Sequence, residues 1–154
     1  MLSTTSEYAL RALVNLAQRP NNPAVPGRDL ARAAEIPANY LSKVLLTLRK
    51  AGLVDTSRGS GGGYRLRKAA SEIYLIDVVE LFEEISRTSP TCFLAHTRPC
   101  SDSMPCSAHA AWRDLQAAYL GFLVSTSLAT IAGERDQPWN SSEPGNGTTL
   151  PVAN

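Results

Sequence analysis

The fold of this chain is decided by residues 38–66, whose sequence is ANYLSKVLLTLRKAGLVDTSRGSGGGYRL. The first part predicts a helix from about Ala38 to Gly52, because leucine and valine recur at the i, i+3, i+4, i+7 spacing of one apolar stripe. That stripe comprises Leu41, Val44, Leu45 and Leu48. Two short alternating runs follow, 53–57 and 64–67, joined by a glycine-rich segment. This pattern is typical of a β-hairpin, so the stretch predicts a helix followed by a small wing.

Two further helices are predicted upstream of this stretch. The sequence TTSE at residues 4–7 is typical of a capping box in which Thr4 caps the first turn and the glutamate reaches back. The helix that follows ends at the PNNP of residues 20–23. A second, shorter helix runs from about residue 28 to 34, and residues 35–37 form a turn. Two short helices joined by a tight turn are a helix-turn-helix, whose second helix enters the major groove of DNA.

Polar residues near the start of the helix at residue 38 are the candidates for DNA contact. Short or straight donors at this end of a second helix reach base edges, although a charged helix face is also often merely solvated. An arginine at the base of a glycine-rich hairpin can clamp phosphate or enter a minor groove. The glycines lack the pattern of a nucleotide-binding loop. The predicted DNA-binding residues are Asn39, Tyr40, Ser42, Lys43 and Arg58.

Charge is divided unevenly along the chain. Residues 1–70 contain eleven Lys or Arg against four Asp or Glu, whereas residues 71–154 contain four against ten. A basic half suits a polyanion, so double-stranded promoter DNA is the expected partner. No run of residues is apolar enough to span a membrane, and no pairing of nucleophile and base points to an enzyme.

All three cysteines fall in one polar stretch, with Cys92, Cys100, Cys106 and His109 spaced as C-x7-C-x5-C-x2-H. Three thiols and an imidazole are the donors that an iron–sulfur cluster or a zinc ion needs. A metal-free redox thiol set and inert cysteines are the alternatives. Three cysteines cannot all pair, and the N-terminus has no signal-peptide pattern, so a reducing cytoplasmic location is expected.

The acidic half predicts a helix over 75–85 and a long helix over 107–126. The long helix carries a 3-4-3-4 repeat typical of a dimer seam, formed by Trp112, Leu115, Tyr119, Phe122 and Thr126. The same stripe could instead pack within its own subunit.

The predicted domains are a winged helix-turn-helix over 1–70, a cluster-binding loop with dimerisation helices over 71–133, and a flexible tail over 134–154. A short helix over 127–133 completes the second of these. The tail is rich in Pro, Gly, Asn, Ser and Thr and shows no periodicity.

Residues 1 to about 133 resemble the Rrf2 family of bacterial winged-helix transcriptional regulators. The resemblance rests on four motifs, TSEYALRAL, NYLSKVLLTLRKAGLV, SRGSGGGYRL and CSAHAAWRDL, together with the three-cysteine loop. It implies a mainly α fold with a small β wing, in which a winged helix-turn-helix domain is joined to a long C-terminal dimerisation helix. It also implies a homodimer that acts on promoter DNA, and the expected action is that of a repressor.

The resemblance further implies a cluster bound through Cys92, Cys100 and Cys106. The fourth ligand varies within the family. His109 is favoured, Glu7 of the partner subunit is the alternative, and His96 is a third possibility. A [2Fe–2S] cluster is expected over [4Fe–4S], with zinc as an alternative. The chain also departs from better-studied members, because seven residues rather than five separate the first two cysteines, and Ser60 replaces a common proline.

Overall fold

The computed structural model of the chain describes residues 2–59, 61–83, 85 and 100–133. Within these residues the chain forms helices and one two-stranded sheet, in the order α1 (Thr4–Ala17), α2 (Gly27–Ala33), α3 (Ala38–Lys50), β1 (Val54–Ser57), β2 (Gly63–Leu66), α4 (Leu75–Val79), α5 (His109–Ser125) and α6 (Leu128–Ala132). A short 3-10 turn, Ala70–Glu72, precedes α4. The mainly helical fold with a small β-hairpin is therefore confirmed, and dimerisation stays a prediction.

The first helix begins one residue earlier than its capping pattern predicts. Ser3, with extended backbone angles, is the N-cap, and its hydroxyl oxygen accepts from the backbone N–H of Ser6 at 3.2 Å. The backbone N–H of Ser3 donates to the carboxylate of Glu83 at 2.7 Å. The predicted Thr4 cap was wrong because this distant carboxylate takes the place of the local glutamate. Glu7 instead forms an i, i+4 ion pair with Arg11 at 3.6 Å.

One hydrophobic core runs through the described residues. The predicted α3 stripe is buried, and it packs with leucines of α1 and α2, among them Leu13, Leu16 and Leu30. Ile73, Leu75, Leu123 and Leu128 belong to the same cluster. The helix-turn-helix and the C-terminal helices thus share their apolar interior. The proposed division of the chain at residue 70 stays a prediction.

The wing is held by the loop that precedes α2. β1 and β2 pair antiparallel, and Val25 adds a bridge to β2, with each backbone N–H of Val25 and Tyr64 donating to the other's carbonyl at 2.8 Å. The Asn22 side chain donates to the carbonyl of Leu66 at 2.8 Å and accepts from its N–H at 3.0 Å. A Cβ at Gly63 would overlap the carbonyl group of Val25. Glycine is required there because two backbones approach closely.

The helix predicted over 75–85 is shorter, since α4 ends at Val79. The next residues turn more tightly, because the backbone N–H groups of Leu81 and Phe82 bond three residues back, at 3.3 and 3.0 Å. This turn brings Glu83 to the start of α1. The pattern of apolar residues alone does not separate a helix from such a turn.

Hydrogen bonds join the chain around α6 to the start of α4 and to α1. The backbone N–H of Leu75 donates to the carbonyl of Thr126 at 3.0 Å, and that of Leu128 donates to Ile73 at 2.7 Å. The Gln18 side chain of α1 donates to the carbonyl of Ala132 at 3.3 Å. The first two bonds join the segment between α5 and α6 to the start of α4, and the third joins α6 to α1. In the described portion of the chain, no helix combines the length and apolar character needed to cross a bilayer.

Candidate functional site

A tight turn carries Cys100 to the start of α5. Ser101 and Met104 exchange backbone hydrogen bonds at 3.3 and 3.1 Å, and the Ser101 hydroxyl also accepts from the N–H of Met104 at 3.2 Å. The reversed chain lets the backbone N–H of Cys106 point at Sγ of Cys100, 3.4 Å away. Cys100 and Cys106 are both half-buried. The turn therefore places both cysteines beside the first residue of α5.

His109, the first residue of α5, has a neighbour at each ring nitrogen. Its Nδ1 lies 3.2 Å from Sγ of Cys100, and its Nε2 lies 2.9 Å from Oδ1 of Asp102. Arg113, one turn further along α5, donates to the same oxygen of Asp102 at 2.8 Å. The hydrogen bond with His109 and the positive charge of Arg113 lower the pKa of Asp102. The result is a continuous polar chain from a thiol through an imidazole to a carboxylate.

Of the four predicted ligands, the side chains of Cys100 and His109 lie 3.2 Å apart, and Cys106 lies next to them with its backbone N–H 3.4 Å from Sγ of Cys100. Cys92 and His96, the third candidate for the fourth ligand, lie outside the described residues. Among residues that the structure describes, no group of three or more His, Cys, Asp or Glu side chains could hold a metal ion. Glu7, the alternative fourth ligand, lies on α1 with its carboxylate paired to Arg11. The ligand set thus stays a prediction.

The predicted DNA-contacting residues of α3 are exposed on the helix face away from the buried stripe. Asn39, Tyr40, Ser42 and Lys43 all belong to this face. The Ser42 hydroxyl donates to the carbonyl of Ala38 at 3.0 Å, which leaves its oxygen as an acceptor for another group. The ring of Tyr40 meets that of Tyr8 edge-on, 6.1 Å between centroids. Part of Tyr40 therefore packs against α1.

Arg58 is exposed directly after β1, at the base of the wing. The tip beyond it is closed by a hydrogen bond from the backbone N–H of Gly62 to the carbonyl of Gly59, at 2.9 Å. Because Arg58 is exposed, its guanidinium is available to a polyanion. The polar side chains of α3 form a separate set of donors. Whether either element contacts DNA is a prediction.

Two residues of the site were missed by the sequence-based predictions. Asp102 and Arg113 were not predicted as site residues, although Asp102 contacts His109 and Arg113 donates to Asp102. One signal was present, because His109 and Arg113 are four residues apart on a helix and so share a face. The carboxylate of Asp102 gave no comparable signal, since its approach to α5 depends on the Ser101–Met104 turn. The sequence-based predictions also did not include Leu46, an apolar residue that is exposed on the otherwise polar face of α3.

A helix-turn-helix followed by a β-hairpin wing is the architecture of a class of DNA-binding transcription regulators. The chain matches the profile of the Rrf2 family, described as an iron-dependent transcriptional regulator, over residues 2–134. This protein therefore belongs to the Rrf2 family of transcriptional regulators, as its sequence motifs predicted.

The chain is similar to several transcription regulators, both in sequence and in structure. The HTH-type transcriptional regulator IscR of Photorhabdus laumondii is 35% identical over 135 residues, which cover 88% of this chain and 80% of the relative. IscR of Escherichia coli is 33% identical over the same length, covering 88% and 82%. Among solved structures, T. potens IscR has a TM-score of 0.67 at 26% identity, covering 86% of both chains. CymR, the global cysteine regulator of B. subtilis, has a TM-score of 0.71 and covers 88% and 98%, but at 24% identity it shows the fold alone.

Proposed function

We propose that this regulator binds promoter DNA as a homodimer and acts as a repressor whose operator affinity is controlled by an iron–sulfur cluster. The proposed ligands are Cys92, Cys100, Cys106 and His109, in a cytoplasmic protein. The observation that carries the proposal is the 3.2 Å separation between Sγ of Cys100 and Nδ1 of His109. The description of the family as an iron-dependent transcriptional regulator supports iron.

The spacing of these two atoms fits a shared metal centre. On a tetrahedral metal with bonds of about 2.3 Å to sulfur and about 2.0 Å to nitrogen, the two donor atoms lie about 3.5 Å apart. The observed 3.2 Å is close to that value, so little movement is needed to bring both onto one metal. Mixed thiolate and imidazole donors suit an iron of a cluster as well as zinc. A [2Fe–2S] cluster remains the favoured form.

The chain's own residues supply a physical link from this site to the DNA-binding part. A bound cluster would supply a redox-active centre whose state depends on oxidants and on iron supply. His109 begins α5, and the other end of the same helix buries Leu123 in the core that it shares with α3. Thr126, just beyond α5, is bonded to the start of α4. A shift at His109 can thus be carried along one rigid helix to the winged part.

The proposed DNA contacts divide between two elements. Asn39 and Lys43 on α3 would read base edges, as donors at the start of a recognition helix do. Arg58 on the wing would contact phosphate or a minor groove. The excess of basic residues over 1–70 supports attraction to DNA in general.

The proposed homodimer is supported by the apolar surface of α5. Along its 17 residues only Leu123 is buried. Leu115 is 59% exposed and Phe122 is 51% exposed, and both belong to the predicted seam. Several large apolar side chains exposed on one helix are typical of a surface that another chain covers. A second copy of α5 is the expected partner.

Anaerobic purification tests the cluster directly. Brown protein with iron and sulfide in equal amounts, absorbing in the visible range, would support the proposal. Electron paramagnetic resonance of the reduced protein would then separate [2Fe–2S] from [4Fe–4S]. Colourless protein with one zinc ion per chain would contradict cluster sensing and favour a structural zinc site. Colourless, metal-free protein that still binds its operator would favour a thiol-based or unregulated repressor.

A further inference from the structure

We propose that Asp102 and Arg113 are positioning residues that orient the ring of His109, so that Nδ1 is the nitrogen that faces Cys100 and a bound metal. The inference deepens the proposed function and rests on it only where a metal is concerned. The orientation itself is a property of the chain without metal.

The hydrogen-bond chain decides which ring nitrogen carries the hydrogen. A carboxylate has no hydrogen to donate, so the 2.9 Å contact between Asp102 and His109 requires the hydrogen on Nε2. A neutral ring with its hydrogen on Nε2 has its lone pair on Nδ1, the atom 3.2 Å from Sγ of Cys100. A metal ligand needs that lone pair, and a carboxylate behind the other nitrogen is a common support for ligating histidines.

Arg113 makes the support firmer than one exposed carboxylate could. Asp102 is 77% exposed, so water competes for a single hydrogen bond to its side chain. Arg113 binds the same Oδ1 at 2.8 Å, and as the i+4 neighbour of His109 it lies on the same face of α5. Two successive turns of α5 therefore hold one oxygen atom. The Ser101–Met104 turn limits how far Asp102 can move away.

The first test needs no metal. In the apo form of the full chain, labelled with ¹⁵N, the Nε2–H proton of His109 should give an observable resonance because its hydrogen bond slows exchange with water. The chain has two histidines, so His96→Gln assigns the signal. Asp102→Ala should abolish the resonance, and Asp102→Asn, which keeps an accepting oxygen, should restore part of it. Arg113→Ala should broaden it.

The second test uses Zn²⁺ as a diamagnetic probe. The ¹⁵N shift of the ring should identify Nδ1 as the ligating nitrogen in the wild type, and Asp102→Ala should lose about 10- to 100-fold in zinc affinity. Asp114→Asn, an exposed acid next to Arg113 on α5, is the matched control and should change neither quantity.

The outcomes separate this inference from the cluster proposal. Ligation through Nε2, or an Nε2–H resonance unaffected by Asp102→Ala, would overturn the positioning role whatever metal is bound. Loss of the resonance in Asp102→Ala but not in Asp102→Asn supports positioning rather than collapse of the loop. If wild-type protein shows the orientation and yet never assembles a cluster, positioning stands and cluster sensing fails.

Discussion

His109 and Glu7, the two principal candidates for the fourth ligand, differ in their surroundings. His109 lies beside Cys100, whereas the Glu7 carboxylate is 3.6 Å from the guanidinium of Arg11 on the same helix. For Glu7 of the partner subunit to bind a cluster, this ion pair would have to open. The residue-scale geometry therefore favours His109.

Substitution of each candidate tests that preference. His109→Ala should bleach most of the visible absorbance of anaerobically purified protein, because the cluster would be left without one of its ligands, whereas Glu7→Ala should retain most of it. His96→Ala tests the third candidate in the same way and should also retain most of the absorbance. Stronger bleaching by Glu7→Ala than by His109→Ala would assign the fourth ligand to the partner's first helix.

The contact between Ser3 and Glu83 predicts a dependence of stability on acid. Burial raises the pKa of Glu83, but hydrogen bonds from Ser6 and Ser3 outweigh it and leave the pKa below its usual value of 4.5. A carboxyl with a lowered folded-state pKa stabilises the fold above its unfolded pKa, and this contribution is lost as pH falls through the folded pKa.

Glu83→Gln should therefore remove part of the acid sensitivity. We expect the variant to lose about 1 kcal/mol of unfolding free energy near neutral pH, allowing for partial exposure of the carboxyl. As pH falls below the usual glutamate pKa of 4.5 and through the lowered folded-state pKa, the loss should shrink, because the wild-type carboxyl becomes protonated. Urea unfolding at several pH values measures this, with Asp114→Asn as the exposed control. An equal loss at all pH values would contradict the assignment.

Substitutions in α3 and in the wing should impair DNA binding in different ways. If the proposed contacts are made, Lys43→Ala and Asn39→Ala should relax sequence preference, because each would remove hydrogen bonds to a base edge that are worth roughly 1–3 kcal/mol. Arg58→Ala should weaken binding across many sequences and lower its salt dependence. Lys68→Ala, an exposed basic residue outside both elements, controls for net charge. Equal effects of all four variants at every sequence, measured by titration at fixed salt, would contradict specific recognition.

The exposed apolar side chains of α5 predict that this helix forms the interface of the proposed homodimer. Leu115→Glu or Phe122→Glu should convert the proposed dimer to a monomer with intact helical content, because a charge would be buried at the seam. Ala117→Glu, exposed on the opposite side of α5 from Leu115, should leave the dimer intact. Sedimentation measures the outcome, and persistent dimers in both seam variants would place the interface elsewhere.

For the whole molecule, the shared core predicts coupling between the ligand loop and DNA. If α5 transmits the cluster state, apo and holo protein should differ in operator affinity by a coupling free energy of about 1–3 kcal/mol. Reciprocity then requires operator DNA to change the rate of cluster loss under air relative to a scrambled duplex. Equal affinities of the two forms at one salt concentration would reduce the site to a structural support.

Local patterns predicted the architecture well where each segment folds by its own periodicity. The α3 stripe and the hairpin follow from residue spacing and glycine placement, because those signals depend on near neighbours. The cysteine and histidine spacing likewise indicated a donor-rich loop, and in the described part of the chain Cys100, Cys106 and His109 of that set are neighbours.

Other features depended on residues distant in sequence. The N-cap of α1 is Ser3 rather than Thr4, and the backbone N–H of Ser3 donates to Glu83. The backbone of Val25 leaves no room for a side chain at Gly63. Asp102 became part of the site only because a turn returned it to α5. The sequence alone therefore determined α3, the wing, the family and the donor types. Tertiary structure decided which donors meet, because a hydrogen bond between separated residues forms only after the chain that joins them has been folded back.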